Sequence, residues 1–163
     1  MVFLNGENLN MTSQNDRRTL GHFYEQQLYN LLVSKGYDFH LAKNKFCCYD
    51  FYHYDEKNSI KIFLELKTRT KPLNEFVVEY ADVEKIRKYK QINDITFPSD
   101  ECIFYYIYNH IIDEERTDYY YYKIDFNTID DFFVSEVCGK KTYEIPIRCV
   151  KPLKELFNRL DSN

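Results

Sequence analysis

Residues 46–69 read FCCYDFYHYDEKNSIKIFLELKTR. Two strand-like runs flank the polar stretch Asp55-Glu56-Lys57-Asn58-Ser59. Ile60 to Arg69 alternates: Ile60, Ile62, Leu64 and Leu66 face one way, and Lys61, Phe63, Glu65, Lys67 and Arg69 the other. The pattern predicts an antiparallel hairpin whose turn is centred between Lys57 and Asn58. Asp50 and Glu65 each stand seven and a half positions from that centre. Absent a bulge they are direct cross-strand neighbours, with Cβ atoms ~4.5–5.5 Å apart.

Two carboxylates facing each other repel, so a sheet does not choose that pair for stability. A divalent cation between them removes the conflict, and Mg²⁺ takes one or two carboxylates together with waters and phosphate oxygens. Lys67 is two residues beyond Glu65 on the same face, where a cationic group can orient an attacking water or stabilise charge on a phosphate. Local physics leaves two readings open, a metal site and a solvated polar strand face.

Outward from the hairpin, Leu20, Phe23, Tyr24, Leu28, Leu31 and Leu32 recur at helical spacing within about 17–35, with Asp16 as N-cap and Gly36 as the C′ residue. A short strand is expected at 39–43. Residues 82–93, DVEKIRKYKQIN, read as a basic helix capped by Asp82. Runs 102–108 and 119–126 read as strands around a polar turn at 113–118. Pro152 opens a last helix at about 152–160 with Leu153, Leu156, Phe157 and Leu160 on its apolar face. The stretch 127–150 yields no clear element beyond a turn signal at Lys140-Lys141. The expected organisation is a loose polar arm at 1–15 and one α/β domain at 16–163, a mixed sheet with packed helices, extended from about 127.

The 163-residue length suits one domain that needs no disulfides or structural metal. A net charge of -4 argues against a protein held to nucleic acid by overall positive charge, though phosphate contacts are local. Cys47, Cys48, Cys102, Cys138 and Cys149 are odd in number and include no CxxC pair, which disfavours a zinc ribbon or a secreted disulfide framework. With no signal peptide or membrane span in the sequence, the expectation is an intracellular protein, cytoplasmic or nuclear.

Phe63-Leu64-Glu65-Leu66-Lys67-Thr68-Arg69 resembles the E-x-K strand of the PD-(D/E)XK nuclease superfamily. Asp50 matches that family's metal-binding aspartate across the hairpin, although Tyr49 stands where many members have proline. Gly21-x-x-x-Glu25 and the helix after it look like the family's opening helix, and the element order matches its restriction-endonuclease-like αβββαβ core over residues 17–126. The resemblance implies a metal-dependent endonuclease that hydrolyses DNA, duplex or branched, with Mg²⁺ or Mn²⁺. Asp50 and Glu65 would bind the metal, the Leu66 backbone carbonyl would add a ligand, Glu25 is a further candidate ligand, and Lys67 would serve the water.

Arg69, Lys71, Lys85 and Lys88 are candidate phosphate contacts; Lys85 and Lys88 share a helix face. For that helix the alternative is a solvated basic surface. His22 is a weaker ligand candidate than Glu25. A homodimer is compatible with cutting two strands. The competing functions are an RNA endonuclease of the same fold and a non-catalytic nucleic-acid-binding or assembly module. Cleavage specificity and the choice among junction resolvase, restriction enzyme and homing enzyme are not readable from the residues.

Overall fold

The structure, a computed structural model, describes residues 2–4, 7–9, 14–42, 47–70, 76–113 and 116–162. Within the stretch expected as a loose arm, strands β1 (Val2–Leu4) and β2 (Glu7–Leu9) pair antiparallel. Helix α1 (Gln14–Ser34) follows and starts earlier than the apolar stripe suggested. Leu20, Tyr24, Leu28 and Leu32 are buried, whereas Phe23 lies at the stripe's edge and is 37% exposed. At its end Tyr37 N–H bonds Leu32 O and Gly36 N–H bonds Val33 O. This is a Schellman closure, and it requires the left-handed φ of 83° that Gly36 adopts.

Next come β3 (His40–Leu41), β4 (Phe51–Asp55), β5 (Ile60–Arg69), β6 (Val77–Glu79), α2 (Tyr80–Thr96), β7 (Glu101–Ile111) and β8 (Thr117–Lys123). The chain closes with β9 (Val134–Val137), β10 (Lys140–Glu144), β11 (Lys151–Pro152) and α3 (Leu153–Asp161). The main sheet has the order β11-β8-β7-β5-β4-β3. It is mixed: β5 and β7 run parallel with α2 as their crossover, and the other pairs are antiparallel. A small sheet, β6-β10-β9, lies beside it.

Both faces of the main sheet are covered. Leu64, Leu66, Ile107 and Tyr121 pack with α1 and with Leu153 and Leu156 of α3. Phe63, Phe104, Tyr106 and Tyr108 pack with Val83 and Ile86 of α2 and with Val78 and Tyr143 of the small sheet. Alternation along β5 therefore separates two cores, not a core from solvent. Even Lys61 is buried, bonding Asn93 Oδ1 at 2.7 Å and Asp100 Oδ2 at 3.3 Å.

Four local expectations change. β4 starts at Phe51, later than the aromatic run implied. α2 starts at Tyr80 with Glu79 at its N-cap position, so Asp82 stands in the first turn and is not the cap. The Lys140-Lys141 pair opens β10; the turn before it is Cys138-Gly139, with φ of 52° and 76°. Such a pair suits a two-residue hairpin loop, and the aligned partners Lys140 and Val137 flank it. Pro152 precedes α3 rather than beginning it. All five cysteines are free thiols. Among the described residues no helix is long and apolar enough to cross a membrane.

Candidate active site

The hairpin register places Phe51 opposite Leu64, Tyr52 opposite Phe63 and Asp55 opposite Ile60. Its symmetry is the one read from the Lys57–Asn58 turn. At Asp50 the ladder is offset: its N–H bonds the carbonyl of Leu64, not that of Glu65, at 2.8 Å. β4 ends there while β5 continues to Arg69, so a notch opens in the sheet beside residues 65–69.

Asp50 fills that notch. Its Oδ2 accepts the backbone N–H of Leu66 at 2.7 Å. N–H and C=O of one strand residue point to the same edge, so the Leu66 carbonyl opens toward the notch as well. On the face toward α2, Glu65 Oε1 lies 3.1 Å from Lys67 Nζ, and Asp82 Oδ2 lies 3.4 Å from the same nitrogen. The Glu65, Lys67 and Asp82 side chains are only 15%, 23% and 16% exposed. Tyr106, fully buried on β7, has its hydroxyl 3.4 Å from Asp82 Oδ2.

The charges do not balance. Burial pushes Asp50 up to about 6; its bond from Leu66 opposes this, and negative charge on Glu25 and Asp82 adds to it. Burial pushes Glu65 up to about 8, with Asp50 as the next cause and Lys67 opposing. Burial alone would lower Lys67, but Glu65, Asp82 and Glu79 outweigh it and raise its pKa. One ammonium set against Asp50, Glu65 and Asp82 leaves the cluster rich in acid.

Glu25 approaches from α1 and is felt electrostatically by Asp50. It also contacts His22 Nδ1 at 3.2 Å, which brings His22 to the rim rather than into the notch. Among the described residues no three His, Cys, Asp or Glu side chains form a ready cage for a metal. The donor set still fits Mg²⁺, which binds through one or two carboxylates and keeps waters and phosphate oxygens.

The basic candidates separate. Arg69 shares the Glu65 and Lys67 face of β5, and its charge reaches Tyr106 and Tyr108. Lys85 stands one helical turn after Asp82, is exposed, and acts on Cys48, a thiol that also feels Glu65. Lys88 is exposed one turn further along α2. Arg87 turns away to Asp130, 3.0 Å distant. Lys71 lies outside the described residues.

Asp82 is the site residue that sequence reasoning missed. An acid before a helical run reads as a cap, and only the tertiary contact with Lys67 reveals another placement. The available signal was its position one turn before Lys85, itself a candidate phosphate contact.

Protein-family models and curated protein sequences give no match to this chain. Among solved structures it is similar to the Holliday junction resolvase Hjc of Archaeoglobus fulgidus, an archaeal hyperthermophile, with a TM-score of 0.50 at 11% sequence identity. The match covers 80% of this chain and 97% of that one. At this identity the likeness concerns the fold. The chain is α/β, a mixed central sheet flanked by helices, as expected of the restriction-endonuclease-like class.

Proposed function

We propose that the chain is a metal-dependent endonuclease that hydrolyses phosphodiester bonds of DNA. The observation that carries the reading is the pair of buried carboxylates Asp50 and Glu65 beside the notch, both raised by burial, Glu65 also by Asp50, and served by one lysine. A scaffold gains nothing from that repulsion, whereas a cation-binding site uses it. Asp50 and Glu65, with the Leu66 carbonyl, would hold Mg²⁺ or Mn²⁺, and Glu25, whose charge Asp50 feels, would act through a bound water. The metal, when bound, supplies Lewis-acid polarisation of the phosphate and acidifies a coordinated water.

Lys67 orients that water and donates to a phosphate oxygen as negative charge builds. The water oxygen forms the new bond to phosphorus and its proton passes to solvent, while the phosphorus–oxygen bond to one sugar breaks and that sugar oxygen takes up a proton from solvent and leaves as a hydroxyl. Arg69, Lys85 and Lys88 would line the approach of the phosphate backbone and fix its register. The resolvase likeness makes branched DNA the first substrate to try, with duplex DNA second. A symmetric pair of chains would place two such sites against two strands. The test is a cleavage screen on four-way, duplex and single-stranded DNA and on RNA, with Mg²⁺, Mn²⁺ or EDTA. Metal-dependent cutting of DNA supports the reading. Cutting of RNA alone transfers it to the ribonuclease alternative, and no cutting leaves a binding module.

A further inference from the structure

We infer that Asp82 is a positioning residue for Lys67, holding its ammonium in the site while Glu65 is committed to a cation. This role presupposes the nuclease reading of the site. Lys67 Nζ is shared between Glu65 at 3.1 Å and Asp82 at 3.4 Å. The two anions differ in what else they do. Glu65 is a proposed ligand, so a divalent cation would draw off its charge and repel the neighbouring ammonium. Asp82 then remains as the counter-ion that keeps Lys67 facing the notch.

Asp82 is placed to do so independently of β5. It stands in the first turn of a 17-residue helix, where an acidic side chain is favoured by the exposed N–H groups. Val83 and Ile86, buried at 0% and 1% exposure, fix that turn against the sheet. The Tyr106 hydroxyl, presented from β7, donates to the same Oδ2 at 3.4 Å. Helix capping does not account for the residue, since Glu79 occupies the N-cap position.

The experiment uses the full chain as Asp82→Asn, Asp82→Glu, Tyr106→Phe, Lys67→Ala and the Asp82→Asn/Lys67→Ala double variant. The lysine ammonium groups are observed by proton–nitrogen NMR with and without Mg²⁺, Lys67 being assigned by its absence in Lys67→Ala. Mg²⁺ affinity is measured by calorimetry, and cleavage of four-way and duplex DNA by kinetics. In the parent the Lys67 signal should survive addition of Mg²⁺. In Asp82→Asn it should vanish on that addition, with Mg²⁺ affinity within about twofold of the parent. Cleavage should lose about ten- to a hundredfold in kcat with KM nearly unchanged. Asp82→Glu should restore both readouts, and Tyr106→Phe should weaken them in the same direction. The double variant should be no slower than Lys67→Ala.

A Lys67 signal that persists in Asp82→Asn with Mg²⁺ overturns the inference. So does additive loss in the double variant. A tenfold fall in Mg²⁺ affinity in Asp82→Asn makes Asp82 a ligand and overturns it too. A parent that binds Mg²⁺ but cuts nothing sinks the nuclease reading alone, because the NMR comparison still decides whether Asp82 holds Lys67.

Discussion

Asp50 Oδ2 and the backbone N–H of Leu66 lie 2.7 Å apart although 16 positions separate the two residues in the chain. The bond gives Asp50 a structural duty besides its charge. Removing the carboxylate therefore has two opposed effects: it relieves repulsion with Glu65, and it strips Leu66 of its acceptor.

Asp50→Asn and Asp50→Ala should separate those effects. Asn removes the charge and keeps an acceptor oxygen; Ala leaves the Leu66 N–H without it, at about 1–3 kcal/mol. Without metal at pH 8, Asp50→Asn should melt higher than the parent and higher than Asp50→Ala. Both should lose the stabilisation that Mg²⁺ gives the parent. Thermal melts in EDTA and in Mg²⁺ measure this, and an Ala variant as stable as Asn would remove the hydrogen bond from the account.

The pH dependence of the metal-free protein follows from the raised carboxyls. Asp50 and Glu65 have folded-state values of about 6 and about 8 against model values of 3.8 and 4.5. The folded state then holds these protons more tightly than the unfolded one. Their contribution to stability is complete below about pH 4 and is lost as pH rises through about 6 and then about 8. Melting temperature in EDTA should fall between about pH 4 and 8, most steeply below about 6 where both groups contribute, and Asp50→Asn or Glu65→Gln should flatten the fall. Added Mg²⁺ should stabilise most at the alkaline end. A parent profile as flat as that of Asp50→Asn or Glu65→Gln contradicts the assignment of buried, repelling carboxyls.

The hairpin was the most legible part of the sequence, because a turn centre and a period of two fix a register without tertiary information. Its offset at Asp50 was not legible, since nothing local distinguishes a regular pair from a displaced one. The two-sided burial of β5 stayed open for a related reason: Lys61 and Lys67 find partners on α2 and beyond, Asn93, Asp100 and Asp82, which no local pattern shows. Residues 127–150 gave little because β9 and β10 are short, and in β10 the neighbours Thr142 and Tyr143 are both buried, so no alternation marks the strand. Tyr143 and Asp130, which bond at 2.9 Å, carry no sequence pattern of their own.

The exposed face of α2 predicts salt-dependent binding. Lys85→Glu and Lys88→Glu should each weaken binding to all DNA sequences alike and lower the slope of log affinity against log salt by about one unit. Arg87→Glu should act mainly on stability, because Arg87 is engaged with Asp130 and Glu84. Affinity titrations at several salt concentrations check both statements. Equal effects at all three positions would mean a diffuse field rather than defined contacts.

Lys61 provides a control remote from the chemistry. Lys61→Met would strand Asn93 and Asp100, at about 3 kcal/mol or more. Chemical denaturation should show that loss, while kcat below the melting temperature should stay near the parent's. Loss of cleavage with full stability would place Lys61 in the site and require a different arrangement of β5.

The most direct measurement compares parent, Asp50→Asn and Lys67→Ala on one four-way DNA junction and one duplex, each with Mg²⁺, Mn²⁺ and EDTA, alongside calorimetric Mg²⁺ binding. The account predicts metal-dependent cutting by the parent, no cutting and weakened Mg²⁺ binding for Asp50→Asn, and near-parent Mg²⁺ binding with slowed cutting for Lys67→Ala. Equal cutting by all three proteins, or a parent that neither binds Mg²⁺ nor cuts either DNA, would contradict it.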